Sequence, residues 1–429
     1  MGGAFYVGFK LYVHELMLAV CLLPLIANVA LKKESAMLLR TRIPPSIILI
    51  AFYIFAHWFI CVAYNKISDY GGVGQVSRQY MNAGWPFILF FAFYLFGKTK
   101  YLKTALILMF VTYMLRFAAG IYFFVQQGGF DSTNIFTEVR QTVYIPLINY
   151  IPKVGNADDL RITSISLASI AMAYFSFSKN FFSKLFSFMI VSACFVGCLL
   201  GGGRAALLIF LILVLYWNFI TKNVPFLILS GVIGGSALVY INLDPYSIEA
   251  LPDKMQRAVS AFVVTEDNLS IKRGISQSDE FHKRLREEGW ERATENFASI
   301  LFGHGIRPFD ETAWFDQTRD DVTKKSEQAK LTGRYEKGFF TVVATLGFVG
   351  FALYLNILRY LIWDIIKSLW RNNIRDTQHI FYFLATFSII SWLITMFITG
   401  GFPSEEIMLG LFARVAFEDS RRAKGLGDV

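Results

Sequence analysis

Arg204 lies in the run LLGGGRAALLIF, directly after three glycines and between two apolar stretches. Glycines leave room for a ligand against the backbone, and a guanidinium offers a planar fork of donors that suits phosphate oxygens. Its plain structural reading is an anchor at a membrane surface, with the stem in lipid and the head in water. Arg116, in TYMLRFAAG, falls well inside an apolar run, where an ionisable group is costly and faces a cavity or a partner. Glu15 or Asp364 would serve as that partner. His14 and His57, each alone in an apolar run, read as hydrogen-bonded packing residues. Arg286 and Trp290 stand four apart, the spacing of neighbours on one helix face. They are followed by His304 in LFGHG and by Glu336 in RYEKGFF. A buried carboxylate with a raised pKa, or an imidazole, can take a proton from a hydroxyl. The structural alternatives are Glu336 paired with Lys337 or Arg334, and His304 capping its turn.

These residues must be held by membrane-spanning helices. Of 429 residues 55% are hydrophobic and 17% charged, which excludes an ordinary soluble domain. Runs long enough to cross a bilayer occur near 11–30, 46–64, 84–97, 104–126, 161–178, 184–201, 205–220, 224–243, 339–366, 380–400 and 405–417. The third and last are short, so the expectation is an all-α polytopic protein of about 10–12 spans, with no internal repeat. The net charge of +9 invites a nucleic-acid reading, but the basic residues sit in short loops between apolar runs. No nucleic-acid partner is expected. The four cysteines lie inside apolar runs and read as structural thiols. No cleavable signal peptide is expected, because a basic start and a small-residue cleavage site are missing before the first run.

Orientation follows from the short loops. Segments 31–44, 98–103, 178–184, 221–223, 367–377 and 418–429 hold 16 Lys and Arg, against 6 in the short segments of the other side. The richer side faces the cytoplasm, and eleven crossings then put the N-terminus outside and the C-terminus inside. Three regions result: spans to residue 243 with a smaller outer loop at 127–160, a large outer loop at 244–338, and the C-terminal spans at 339–429. The large loop holds 15 basic and 18 acidic residues, so a folded, solvated subdomain is expected there. Within it, 279–297 reads as an amphipathic helix with Phe281, Leu285, Trp290 and Phe297 turned inward. The outer loops contain two His and no Cys, so metal independence and no cofactor are expected.

The order of these motifs resembles the O-antigen ligase and polymerase superfamily of bacterial envelope glycosyltransferases. The resemblance covers roughly residues 185–415. It rests on a hairpin arginine after small residues (Arg204), an Arg-x-x-x-Trp helix (Arg286, Trp290) and the Phe-Gly-x-Gly turn at 302–305. A final motif starts the next span, running from Glu336 through Phe339–Phe340 to Gly347. The family's histidine in that motif is replaced by Glu336 and its asparagine by Lys337. The resemblance implies transfer of a glycan from undecaprenyl pyrophosphate to an acceptor glycan on the periplasmic face of the inner membrane. Arg204 and Arg286 would face the pyrophosphate, with Arg116, Arg140, Arg334 and Trp290 as further substrate contacts. Glu336 would be the base and His304 its alternative. The loss of the ligase-type histidine favours a polymerase over a ligase acting on lipid A-core or a protein-glycosylating relative. A flippase and a chain-length regulator are candidate partners. The rival reading from another class is a transporter of lipid-linked sugars, which typically carries internal repeats.

Overall fold

In a computed structural model, the residues described are 44–64, 102–126, 159–244 (Gly202 apart), 251–306 (264–268 apart) and 338–423, with Ser247, Tyr335 and short stretches within 3–12, 76–88 and 150–152. Twelve helices are named here in chain order. They are α1 (Pro45–Tyr64), α2 (Leu102–Gln126), α3 (Asp159–Phe177), α4 (Phe181–Leu200), α5 (Arg204–Thr221) and α6 (Val224–Leu243). Then come α7 (Asp253–Val259), α8 (Leu269–Thr294), α9 (Phe297–Phe302), α10 (Gly338–Asn372), α11 (Thr377–Thr395) and α12 (Ser404–Ala423). Eight of them, α1 to α6 with α10 and α11, are long and apolar enough to cross a membrane. The polytopic helical architecture read from the sequence is therefore present. Expected spans at 13–30 and 89–97 fall outside the described residues. Lys10–Tyr12, where the first span was expected to begin, is instead a strand of a small antiparallel sheet, β2-β1-β3, with β1 at Gly3–Tyr6 and β3 at Tyr150–Pro152.

The chain divides into two units. The first comprises Met1–Val20, Lys98–Ile275 and Lys367–Phe387. Its helices approach closely because small residues line the contacts, the usual way membrane helices pack without a hydrophobic driving force. A Cβ on Gly197 of α4 would run into Ser164 of α3 and Phe117 of α2. Trp217 of α5 donates its indole N–H to Ser176 Oγ of α3 at 2.7 Å, and Tyr216 donates to Thr386 Oγ1 of α11 at 2.6 Å. Asn180 caps α4 by accepting from Phe182 N–H, and Asn223 caps α6 from Phe226 N–H. α6 is apolar all round and has no buried residue.

The second unit comprises Cys21–Gly97, Ser276–Ile366 and Ser388–Val429. Helical stripes from three elements fill its core: Ile47, Ile50 and Ile54 of α1, Tyr354, Ile357 and Leu361 of α10, and Ile407, Leu411 and Val415 of α12. α12 also carries a half-buried ion cluster that hydropathy hides. Arg414 Nη1 lies 2.9 Å from Asp364 Oδ2 of α10, and its Nε lies 2.8 Å from Glu418 Oε1, while the guanidinium covers the Tyr360 ring. Asp364, a candidate partner of Arg116 in the sequence, is thus the partner of Arg414.

The loop helix departs from its expected form. α8 begins at Leu269, ten residues before the expected 279, and stops at Thr294 because Asn296 starts α9 by capping Ser299 N–H at 2.9 Å. Its inward stripe is Leu285, Gly289 and Ala293. Trp290 and Phe297, expected inside, are 47% and 74% exposed. The small Gly289 decides this, since a Cβ there would press on Phe340 Cβ at 3.1 Å and the Tyr335 ring at 3.3 Å.

Candidate functional site

Two arrangements, one in each unit, contain sequence-predicted residues, Arg204 in the first and His304 in the second. In the first unit Arg204 opens α5 behind Gly203, which ends the tight turn from α4. The neighbouring helix explains the glycines. A Cβ on Gly201 would meet Arg161 Cβ at 3.0 Å, and one on Gly203 would meet Arg161 Cδ at 2.9 Å. Arg161 of α3 therefore lies along the bare backbone of the hairpin, and two half-buried arginines start neighbouring helices at one end of the bundle. Such a pair of forks suits a doubly charged phosphate group. Sequence reasoning missed Arg161, although its position at the first turn of a span matches that of Arg204. Arg116 lies half-buried on α2.

In the second unit the Phe-Gly-x-Gly turn is built against a broken helix. α10 is interrupted at Gly347 (φ 68, ψ −178), a conformation open only to glycine. The break frees carbonyls that a continuous helix would use, and each finds a donor. Ala344 O accepts from His304 N–H at 2.8 Å, Thr345 O from Gly305 N–H at 3.0 Å, and Leu346 O from the Tyr53 hydroxyl at 2.6 Å. Gly303 and Gly305 also have positive φ. Cβ atoms on Gly305 and Gly347 would collide with Cys61 Sγ and with the Leu301 carbonyl. Three glycines therefore interlock turn and helix.

His57 completes the frame and takes the packing role expected for it. Its Nε2 donates to the Phe302 carbonyl at 2.6 Å, so Nδ1 is the acceptor for the Tyr80 hydroxyl at 2.6 Å. Tyr80 in turn accepts from Ile306 N–H at 3.3 Å.

On this frame the His304 side chain is largely covered, and its Nε2 lies 3.0 Å from Glu295 Oε2. Glu295 also receives Arg292 Nη1 at 3.4 Å. The two groups form an ion pair only when the imidazole is protonated, and Nε2, although this close, makes no aligned hydrogen bond to the carboxylate. Glu295 and Arg292 are the residues sequence reading passed over here, hidden in a helix end rich in ordinary surface charge. Arg286 and Trp290 lie on the exposed flank of α8, with the indole edge-on to Phe348 just after the α10 break at 6.5 Å.

Glu336, Lys337, Arg334 and Arg140 fall outside the described residues. The residues flanking Glu336 and Lys337 are held firmly. Tyr335 is fully buried under α8, with its phenol pushed up to about 12 by burial. Gly338 lies against the Trp392 indole and donates to Thr399 O at 3.3 Å. Among the described residues no three His, Cys, Asp or Glu side chains are grouped to hold a metal ion.

Residues 188–355 match the family model described as O-antigen ligase. No curated protein and no solved structure matches the chain. The matched stretch runs from α4 through the Arg204 turn, helices α7 to α9 and the Phe-Gly-x-Gly turn to the segment of α10 beyond its break. This multi-pass helical membrane protein thus matches the O-antigen ligase family model over residues 188–355, and the match supports the O-antigen ligase and polymerase superfamily as its family.

Proposed function

We propose that this protein polymerises undecaprenyl-pyrophosphate-linked oligosaccharide repeats into O-antigen or exopolysaccharide on the periplasmic face of the inner membrane. The observation that carries the transferase reading is the arginine-bearing glycine turn inside a family-matched domain. Departing pyrophosphate gathers negative charge, and fixed guanidinium groups in a poorly solvated site stabilise that charge in the transition state. Arg204 and Arg161 are assigned to the pyrophosphate, and Arg286, Arg116 and Arg140 to its surroundings. Arg334 and Trp290 are assigned to the glycan. The acceptor hydroxyl loses its proton to Glu336, with His304, which lies beside Glu295, as the competing base. Single displacement at an α-linked donor inverts the anomeric centre, and no metal is required by the scheme.

The ligase reading stays as a second proposal because the matched family is described by that activity. Replacement of the family histidine by Glu336 favours the polymerase. Purified protein in detergent, given lipid-linked repeats alone, is expected to lengthen the chains. Product only when lipid A-core is added would assign it as a ligase. A transporter would yield no product in either case, since detergent offers no second compartment.

A further inference from the structure

A second site lies in the first unit, at the opposite end of α3 from Arg161. Between α2, α3, α4 and the start of α11 a groove of about 540 Å³ opens, within the range of ligand pockets, about 300–1,000 Å³. Its lining is graded. Lys103, Tyr174, Ser183 and Thr377 sit at the end where α2, α4 and α11 begin and α3 finishes. Phe110, Ile170, Ile190 and Ile380 line the other end. From Lys103 to Phe110 the chain advances about 10 Å at about 1.5 Å per residue. A cation and hydroxyls at the mouth, with hydrocarbon below broken only by Ser187, whose hydroxyl donates to Ser183 O at 2.9 Å, is the complement of an amphiphile with an anionic head.

The surroundings agree in sign. Lys179, Lys184 and Arg375 stand at the same end of these helices, and Asp376 is the one acid among the described residues of loops 178–184 and 373–376. Asp376 is engaged by His379 at 2.9 Å. Exposed Tyr174, Phe181 and Phe182 supply aromatic side chains at the level of a lipid headgroup. Along α3, Arg161 and Tyr174 are about 20 Å apart, so this groove is separate from the proposed pyrophosphate contacts.

We propose that this groove holds an anionic glycerophospholipid of the leaflet that borders the basic loops, its phosphate at Lys103 and one acyl chain along α3. The test uses the full-length protein in mild detergent, with bound lipid counted by native mass spectrometry. Dioleoyl phosphatidylglycerol should be retained over dioleoyl phosphatidylcholine by about fivefold or more, the order of effect of one basic side chain at an anionic lipid surface. Lys103→Glu should erase that preference. Ile107→Trp, on the 54% exposed groove wall, should lower retention of both lipids without disturbing the core. Lys222, which rides on Trp370 away from the lining, supplies the control. If Lys222→Glu erases the preference as fully as Lys103→Glu, the selectivity belongs to the basic end as a whole and the groove is not the site. Equal retention of the two lipids, or a preference that survives Lys103→Glu, overturns the proposal. So does displacement of phosphatidylglycerol by an equal concentration of a polyprenyl phosphate. Thermal melting of each variant verifies folding, and the exposed Lys103→Glu decides the matter even if Ile107→Trp is misfolded.

Discussion

Arg161 lies along the glycine turn that Arg204 follows, and geometry should matter there as much as charge. Arg204→Ala is expected to reduce chain lengthening by about 100- to 1,000-fold, the usual cost of removing one preorganised donor from a transition state. Arg204→Lys should recover little, because a point charge does not reproduce a bidentate fork. Full activity in Arg204→Ala would leave it an interfacial anchor. The base is separable by a second comparison. Glu336→Gln should cost about 100- to 10,000-fold in turnover while donor binding persists, and Glu336→His should keep measurable activity. If Glu336→Gln turns over normally and His304→Ala and Glu295→Gln both fail, the base is the histidine on the turn. Normal turnover in all three variants removes this loop from proton transfer altogether. Arg204 was legible in the sequence because three glycines before an arginine between apolar runs is an unusual string. Arg161 was not, because its meaning comes from lying across those glycines, a contact between helices that spacing along the chain does not encode.

At the scale of elements, the broken α10 and the Phe-Gly-x-Gly turn form one device. Gly347→Ala places a side chain in a conformation that costs about 1–3 kcal/mol in backbone strain alone, before its collision with the Leu301 carbonyl. A lower melting temperature in detergent and loss of activity are the expected readouts, and an unchanged melt would show that the break is not required. Tyr53→Phe leaves the Leu346 carbonyl without its hydroxyl donor and should cost about 0.5–1.5 kcal/mol in the same measurement. The spans themselves were readable, since about 20 apolar residues suffice to announce a crossing helix. The face of α8 was read less well. Trp290 and Phe297 are large and apolar, yet the buried stripe uses Gly289 and Ala293, because close approach of Tyr335 and Phe340 selects small residues over hydrophobic ones. The break at Gly347 was visible only as a motif glycine. Its positive φ is imposed by contacts with residues far away in the chain.

For the whole molecule, the distribution of basic loops makes a prediction about sidedness. Cysteines introduced at Glu266 and Gln317 should react with an impermeant maleimide in intact spheroplasts, and one at Asn373 should react only after permeabilisation. Labelling at Asn373 alone would invert the orientation and move both the proposed transfer chemistry and the lipid groove to the opposite leaflets. Charge counting reaches this far because loop charge acts during insertion and needs no folded structure. It does not reach Arg414, whose pairing with Asp364 and Glu418 allows a charge-bearing α12 to pack in the second unit's core.

The interlock of three glycines also sets an order in time. Synthesis proceeds from the N-terminus, so residues 301–306 leave the ribosome before the carbonyls of Ala344 and Thr345 that they bind. The turn can reach its final form only after the following span has been made, inserted and broken at Gly347. Until then the backbone N–H groups of His304 and Gly305 have to be satisfied by water. The proposed histidine–carboxylate pair would therefore be assembled late in biogenesis, and a nascent chain ending short of Gly347 would carry the motif without its frame.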